Sequence, residues 1–309
     1  MHPGLRAELT AVTFRPPRAA GIAVGLCLTL WPLAVAVLAA QAVRDGGAEF
    51  KTFAGWLVVG GGLALAAAFA LWTYGLATLS YIVAPDLVVV RWGFRRVAIP
   101  IDTILRMVPG RTLDEPRISG MTWWGFHVGH ADVSRLGYTI FFATRTAPDD
   151  LLYIHTTQES YALTVLDQAR FAEEVQARAA IGPIQSRTQQ SRALGLAAIP
   201  IWRDRVAIGA ALLSMAACFA LCAVFFLRYP GLPEVIQVNF PVSGDVVRIG
   251  DKERLLGIPW LGVSVLAGNL VLGVLVHARE RAAGVWLFSS SALIQVVLLA
   301  AALVAFHAS

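Results

Sequence analysis

The sequence predicts an α+β membrane protein: five transmembrane helices and, between the second and third, a β-barrel or sandwich capped by its own C-terminal helix. Three observations predict it. Only 15% of the 309 residues are charged while 57% are hydrophobic, against about 25% charged in ordinary soluble domains. Five apolar runs are each long enough to cross roughly 30 Å of hydrocarbon. The stretch 79–182 differs from them: it holds short runs rich in Val, Ile and aromatic residues, punctuated by Pro, Asp and Gly, which read as strands.

In chain order, a leader with Arg6, Arg15 and Arg18 precedes the apolar run Ala19–Val43. The length of both reads as a retained span rather than a signal peptide. A polar turn leads to the second run, Phe53–Ala77, where Gly60, Gly61, Gly62, Ala64 and Ala68 let helices approach closely. Residues 1–78 are thus a tail and a transmembrane hairpin. The β-rich stretch 79–182 opens with Tyr81–Ala84 and Leu87–Trp92 around a Pro85-Asp86 turn, and a third run follows Gly93. Then come Ile104–Val108, a long loop containing Trp123-Trp124-Gly125-Phe126, and the runs Tyr138–Thr144, Leu151–His155 and Ser160–Leu163. Asp167 is a good N-cap for the closing helix, and Phe171 and Val175, four apart, share the face expected to pack on the strands. A polar linker, 183–204, precedes the region 205–309, with spans at Val206–Leu227, Leu255–Val276 and Ala283–Phe306 and a loop, 228–254, after the first of them.

Two resemblances follow from particular residues. Tyr81, Leu87–Val90, Gly93 and Ile99-Pro-Ile-Asp-Thr-Ile104, then Phe141-Phe-Ala-Thr144, Leu151–Thr157 and Phe171, form a pattern that resembles the bacterial pleckstrin-homology (PH) domains of membrane proteins. The resemblance implies a cytoplasmic β-domain closed by a helix. Further on, Leu232-Pro233, Ile236-Gln-Val-Asn-Phe240, Gly244, Gly250-Asp-Lys252 and Pro259 are similar to a bacterial membrane domain of unknown function that also occurs in toxin-immunity proteins. The chain departs from that family at Gln237, Asn239 and Asp251, where the family has Pro, His and Ser, so a role resting on the histidine does not carry over.

Candidate sites are few, and no catalytic residue is expected. No phosphate loop, zincin helix or nucleophile elbow is present. His127-x-x-His130-x-Asp132 has a spacing that a metal could use, but the plainer reading is a polar turn, and no metal or cofactor is expected. Cys27, Cys218 and Cys222 lie in apolar runs, as small packing residues do. Trp123, Trp124 and Phe126 are the membrane-contact candidates, because indole favours the interface; the alternative is that these rings fill the core. Asn239, Gly244, Arg248, Gly250 and Lys252 are the binding candidates of the outer loop, where Asp245, Asp251 and Glu253 face Arg248, Lys252 and Arg254. A salt-laced loop that orders itself is the plainer alternative there. Asn269 and Gln295 are the polar side chains nearest the middle of the last two spans and are expected to pair, with Ser291 a rival partner for Asn269.

The net charge of +5 lies mostly in arginines at the ends of the spans. With the N-terminus inside, Arg6, Arg15, Arg18, Arg187, Arg192, Arg203, Arg205, Arg279 and Arg281 fall on the cytoplasmic side, and Arg44, Lys51, Arg228, Arg248, Lys252 and Arg254 outside. That slight bias, with the PH resemblance, predicts a multi-pass protein of the bacterial plasma (inner) membrane with Gly4, Arg187 and the β-domain inside and Asp245 outside. The arginines of the β-stretch are matched by acids, so nucleic acid is not an expected partner. Membrane lipids and a protein partner or self-association are. The expected role is non-enzymatic binding or scaffolding. The alternatives are an envelope sensor or immunity-type protein reading a ligand through the outer loop, and an accessory subunit of a membrane enzyme or transporter.

Overall fold

The computed structural model describes residues 11–114, 116–181, 190–193, 201, 204–237 and 249–308. A short strand, β1 (Val12–Phe14), precedes two long helices, α1 (Ala19–Val43) and α2 (Phe50–Ala77). Nine strands follow: β2 (Ser80–Val83), β3 (Leu87–Trp92), β4 (Arg95–Pro100), β5 (Ile104–Pro109), β6 (Ser119–Trp123), β7 (Phe126–Val133), β8 (Gly137–Ala143), β9 (Leu151–Thr156) and β10 (Ser160–Thr164). Helix α3 (Gln168–Ile181) and strand β11 (Gln190–Ala193) come next. The chain ends with α4 (Arg205–Arg228), the two-stranded β12 (Val235–Gln237) and β13 (Ile249–Asp251), α5 (Gly257–His277) and α6 (Arg281–Ala308). By their internal contacts these residues form two units, Met1–Ala34 with Gly62–Ala198 and Val35–Gly61 with Ile199–Ser309.

In the first unit two sheets face each other. One has the order β1-β2-β3-β4-β11, antiparallel throughout, and the other the order β5-β9-β10-β8-β7-β6, in which β10 lies parallel to β8. Alternation sets the filling: Tyr81, Val83, Val88, Val90, Val97 and Ile99 point inward from the first sheet, and Phe126, Phe142, Leu152, Ile154, Tyr161 and Leu163 from the second. Phe171 and Val175 of α3 close this core, both almost wholly buried. Asp167 caps α3, its side chain accepting from the Arg170 amide at 3.0 Å. The expected sandwich with a closing helix is what the chain forms. Tyr81 also pins one sheet to the other: its hydroxyl donates to the Phe142 carbonyl at 2.6 Å and accepts from the Thr164 amide at 3.3 Å. Burial pushes the pKa of that phenol up, so it stays a donor.

The long loop expected around Trp123-Trp124-Gly125-Phe126 is instead a hairpin. Strands β6 and β7 pair from Ser119↔His130 to Trp123↔Phe126, leaving Trp124-Gly125 as a two-residue turn. Gly125 has φ +84° at the second central position of the turn, as a type II turn needs there, and glycine adopts it without strain.

Helices α1, α2, α4, α5 and α6 are long and apolar enough to cross a membrane. Large apolar side chains point outward from them, with Trp31, Trp260 and Trp286 each more than 70% exposed. A helix apolar on its outer as well as its inner face suits a lipid surround rather than water. In the second unit, Phe225, Leu221 and Ala302 form the centre of the packing between α4 and α6, with Tyr229 and Ile236 beside them.

Candidate membrane-contact site

The β-domain grows directly out of two helix ends. Arg15-Pro16-Pro17-Arg18 joins β1 to α1, and Thr78-Leu79 joins α2 to β2. Phe14 pairs with Tyr81, so the first turn of α1 and the last turn of α2 are brought side by side. The Arg18 guanidinium donates to the Ala77 carbonyl at the C-terminus of α2, where the helix dipole favours a cation.

Two hairpin tips reach the same helix ends. At the β3–β4 tip, Gly93 (φ +53°) donates its amide to Thr78 Oγ1 at 2.8 Å, and Phe94 lies on Tyr74 with ring centroids 5.3 Å apart. At the β6–β7 tip, Gly125 meets Gly21 of α1 backbone to backbone. A Cβ at Gly125 would stand 2.5 Å from the Gly21 nitrogen, and one at Gly21 would stand 2.2 Å from the Gly125 oxygen. Trp123 Nε1 donates to the Gly21 carbonyl at 3.2 Å, and the indole packs edge-on to Phe69 of α2 and flat on Phe126 at 4.2 Å.

These contacts divide the three aromatic candidates. Phe126 is fully buried, so its expected lipid contact is corrected: the inward register of β7 sends it into the core. Trp123 is half-buried, held between the hairpin and the helices. Trp124, at the outer corner of the turn, is 78% exposed, and Phe94 at the other tip is 48% exposed. The docked glycines carry no hairpin signal in the sequence, since Trp124-Gly125 is not one of the usual Asn-Gly, Asp-Gly or Gly-Gly turn pairs.

The other candidates fall as follows. His127 and His130 alternate to opposite faces of β7, and His130 stacks on Tyr138. Burial lowers the His127 pKa. Among the described residues no three His, Cys, Asp or Glu side chains stand where they could hold a metal. Asn239, Gly244 and Arg248 lie outside the described residues. Gly250 sits opposite Ile236 in the β12–β13 pair, and Lys252 donates to Glu234 at 2.7 Å while lying over the Tyr229 ring. Lys252 thus bonds within its own loop, to Glu234 near its start.

The expected Asn269–Gln295 pair is also corrected. Helices α5 and α6 are antiparallel neighbours, but Gln295 is wholly buried and gives its Nε2 to the Gly262 carbonyl at 2.7 Å. Gly262 stands about as far before the helix turn as Gln295 stands beyond it, so this bond needs no tilt, whereas Asn269 lies too near the turn. Ser291, the rival, accepts instead from Ser214 of α4 at 2.7 Å. Asp204, unremarked in the sequence, caps α4 through the Val206 and Ala207 amides and accepts from Arg281 at 2.5 Å, with His277 Nε2 at 3.7 Å. The Arg281 hydrogen bond, helped by the two helix amides, holds the Asp204 carboxyl at about 2, so this link between three helix ends stays ionised. An Asp directly before an apolar run was the signal for it.

Comparisons with known proteins bear on one part of the chain. A search of curated proteins and a search of solved structures each found no match. The resemblance seen in the sequence around residues 228–259 finds no support in the comparisons. Residues 79–179, the sandwich with its closing helix, match the family described as "Bacterial PH domain".

Proposed function

We propose that this chain is a multi-pass protein of the bacterial plasma membrane whose PH-like domain is a non-enzymatic binding module held on the cytoplasmic surface of the bilayer. The observation that carries the reading is the docking of two hairpin tips on helix ends. Gly93 sits at Thr78 and Gly125 at Gly21, which fixes the domain where two apolar helices would leave the hydrocarbon. Held there, Trp124 and Phe94 face the headgroup layer, the depth at which aromatic rings are most stable. The role of such a module is to recruit or scaffold a protein partner, or a second copy of itself, at the membrane surface.

Topology is tested by labelling. In a chain whose Cys27, Cys218 and Cys222 are replaced by alanine, Glu253→Cys should react with an impermeant maleimide on intact cells. Ser134→Cys, exposed on the β-domain, should react only after permeabilisation. The opposite pattern would place the domain outside and contradict the reading.

A further inference from the structure

In the second unit a half-open cavity of about 460 Å³ lies between the first turns of α2, the last turns of α4 and the first turns of α5. Ligand clefts span roughly 300–1,000 Å³. Trp56, Cys222 and Val263, one from each helix, line it six residues inside their helix ends, a depth of about 9 Å. Phe53 stacks on Phe226 with centroids 5.3 Å apart and meets Phe219 at 6.0 Å, so aromatic packing fixes α2 to α4 beside the cavity. Trp56 and Trp260 line the cavity and are also exposed on the outer surface of the helices, which puts them at its open side.

One hydroxyl stands at the mouth. Thr29, Thr73 and Thr78 each donate to the carbonyl four residues earlier, at 2.8, 2.8 and 2.9 Å. Thr52, in the first turn of α2, lines the cavity and has no hydrogen-bond partner among the described residues. Gly46 of the α1–α2 turn lies against it, since a Cβ there would stand 2.4 Å from Thr52 Oγ1. The other lining side chains are aliphatic, aromatic or, at Cys222, a thiol. An apolar cavity of this kind stays dry, and between membrane-spanning helices its open side gives onto acyl chains rather than water.

We infer that this cavity holds one acyl chain of an ester-linked membrane lipid, with the Thr52 hydroxyl donating to the carbonyl of that ester. The depths fit in order. Thr52 stands two residues inside α2, about 3 Å, and Trp56 and Val263 about 9 Å, so the ester lies above the chain it carries. A hydroxyl left unpaired beside hydrocarbon is costly, and the ester carbonyl supplies the acceptor that the chain itself does not. The inference rests on the membrane reading given above and adds a lipid site in the second unit, one that recognises the ester and its chain rather than the headgroup.

The test uses the full chain in nanodiscs of phosphatidylcholine containing a small share of phosphatidylcholine with a diazirine in the upper half of one acyl chain. After illumination and digestion, residues 222–226 and 260–263 should carry several-fold more label than Leu212 and Val271. Those two are exposed at similar depth from the opposite ends of α4 and α5. Val263→Phe, which adds bulk to the cavity at an exposed position, should remove the excess and leave the label at Leu212 and Val271 unchanged. Added diester phosphatidylcholine should displace the cavity label roughly two- to ten-fold better than its diether analogue, the worth of one hydrogen bond. Thr52→Val should erase that difference. Uniform label along both helices, or an excess retained in Val263→Phe, overturns the inference. Equal displacement by diester and diether in the wild type, or a difference kept in Thr52→Val, overturns it as well. Better displacement by oleate than by diester lipid would show a site for free fatty acid instead, and overturns it too. Failure of the chain to enter nanodiscs would overturn both this inference and the membrane reading. Inverted cysteine labelling with the excess intact would overturn only the cytoplasmic placement.

Discussion

Phe171→Ala should destabilise the β-domain by about 3–5 kcal/mol, the usual cost of emptying a fully buried phenylalanine site. The ring is wholly buried, and it meets Phe14 edge-on with centroids 5.0 Å apart. It belongs to the cluster formed by both sheets, including Tyr81, Phe142 and Leu163. Removing it opens a cavity among core side chains that both sheets hold in place. The loss should also loosen β1, because Phe14 has that ring as its aromatic partner. Phe171→Leu keeps most of the volume and should cost far less. The comparison is made on the full chain in detergent, as the shift in the denaturation midpoint followed by near-ultraviolet circular dichroism. Equal midpoints for Phe171→Ala and wild type would remove α3 as the closing element.

The fold was legible in the sequence wherever periodicity was strong. The five apolar runs and the strands from Tyr81 to Trp92 and from Leu151 to Leu163 follow from composition and alternation alone. Residues 119–133 were not legible because Gly120, Gly129, His127, His130 and Asp132 dilute the alternation that marks a strand. These two strands are held by their ladder and by the tip's seat on Gly21 rather than by local preference. Strand β1 is three residues long, and β11 pairs with β4 at long range, so neither carries a local signal. At the candidate site, the sequence marked the right aromatic cluster but could not tell its faces apart. A slip of one position in register decides whether Phe126 or Trp124 is buried. The intramembrane pair failed for a related reason: counting along the helices gives depth, but a backbone carbonyl, here that of Gly262, competes with every side chain at that depth.

Gly125→Val should release the β6–β7 tip from α1. The residue needs φ +84°, strained for valine by about 1–3 kcal/mol. Its new Cβ would stand 2.5 Å from the Gly21 nitrogen and 2.7 Å from the Gly21 Cα, both backbone atoms that cannot swing aside. Strain and clash together exceed what one hydrogen bond from Trp123 returns, about 0.5–1.5 kcal/mol. Gly137→Val separates the two effects, since Gly137 has φ +66° but nothing within 4 Å of its Cβ position. Amide exchange across residues 119–128 should rise by about ten-fold or more in Gly125→Val. It should rise much less there in Gly137→Val. A similar rise in both would mean that backbone strain, and not loss of the seat on the helix, causes the effect.

Whether the domain rests on the bilayer is read most directly from Trp124. In the full chain reconstituted into vesicles, lipids carrying a doxyl group near the headgroup should quench the wild-type tryptophan emission more than that of Trp124→Phe. With the doxyl group deep in the acyl chain the two proteins should be quenched alike. Identical quenching of both proteins by the shallow label would place Trp124 in water and contradict the account.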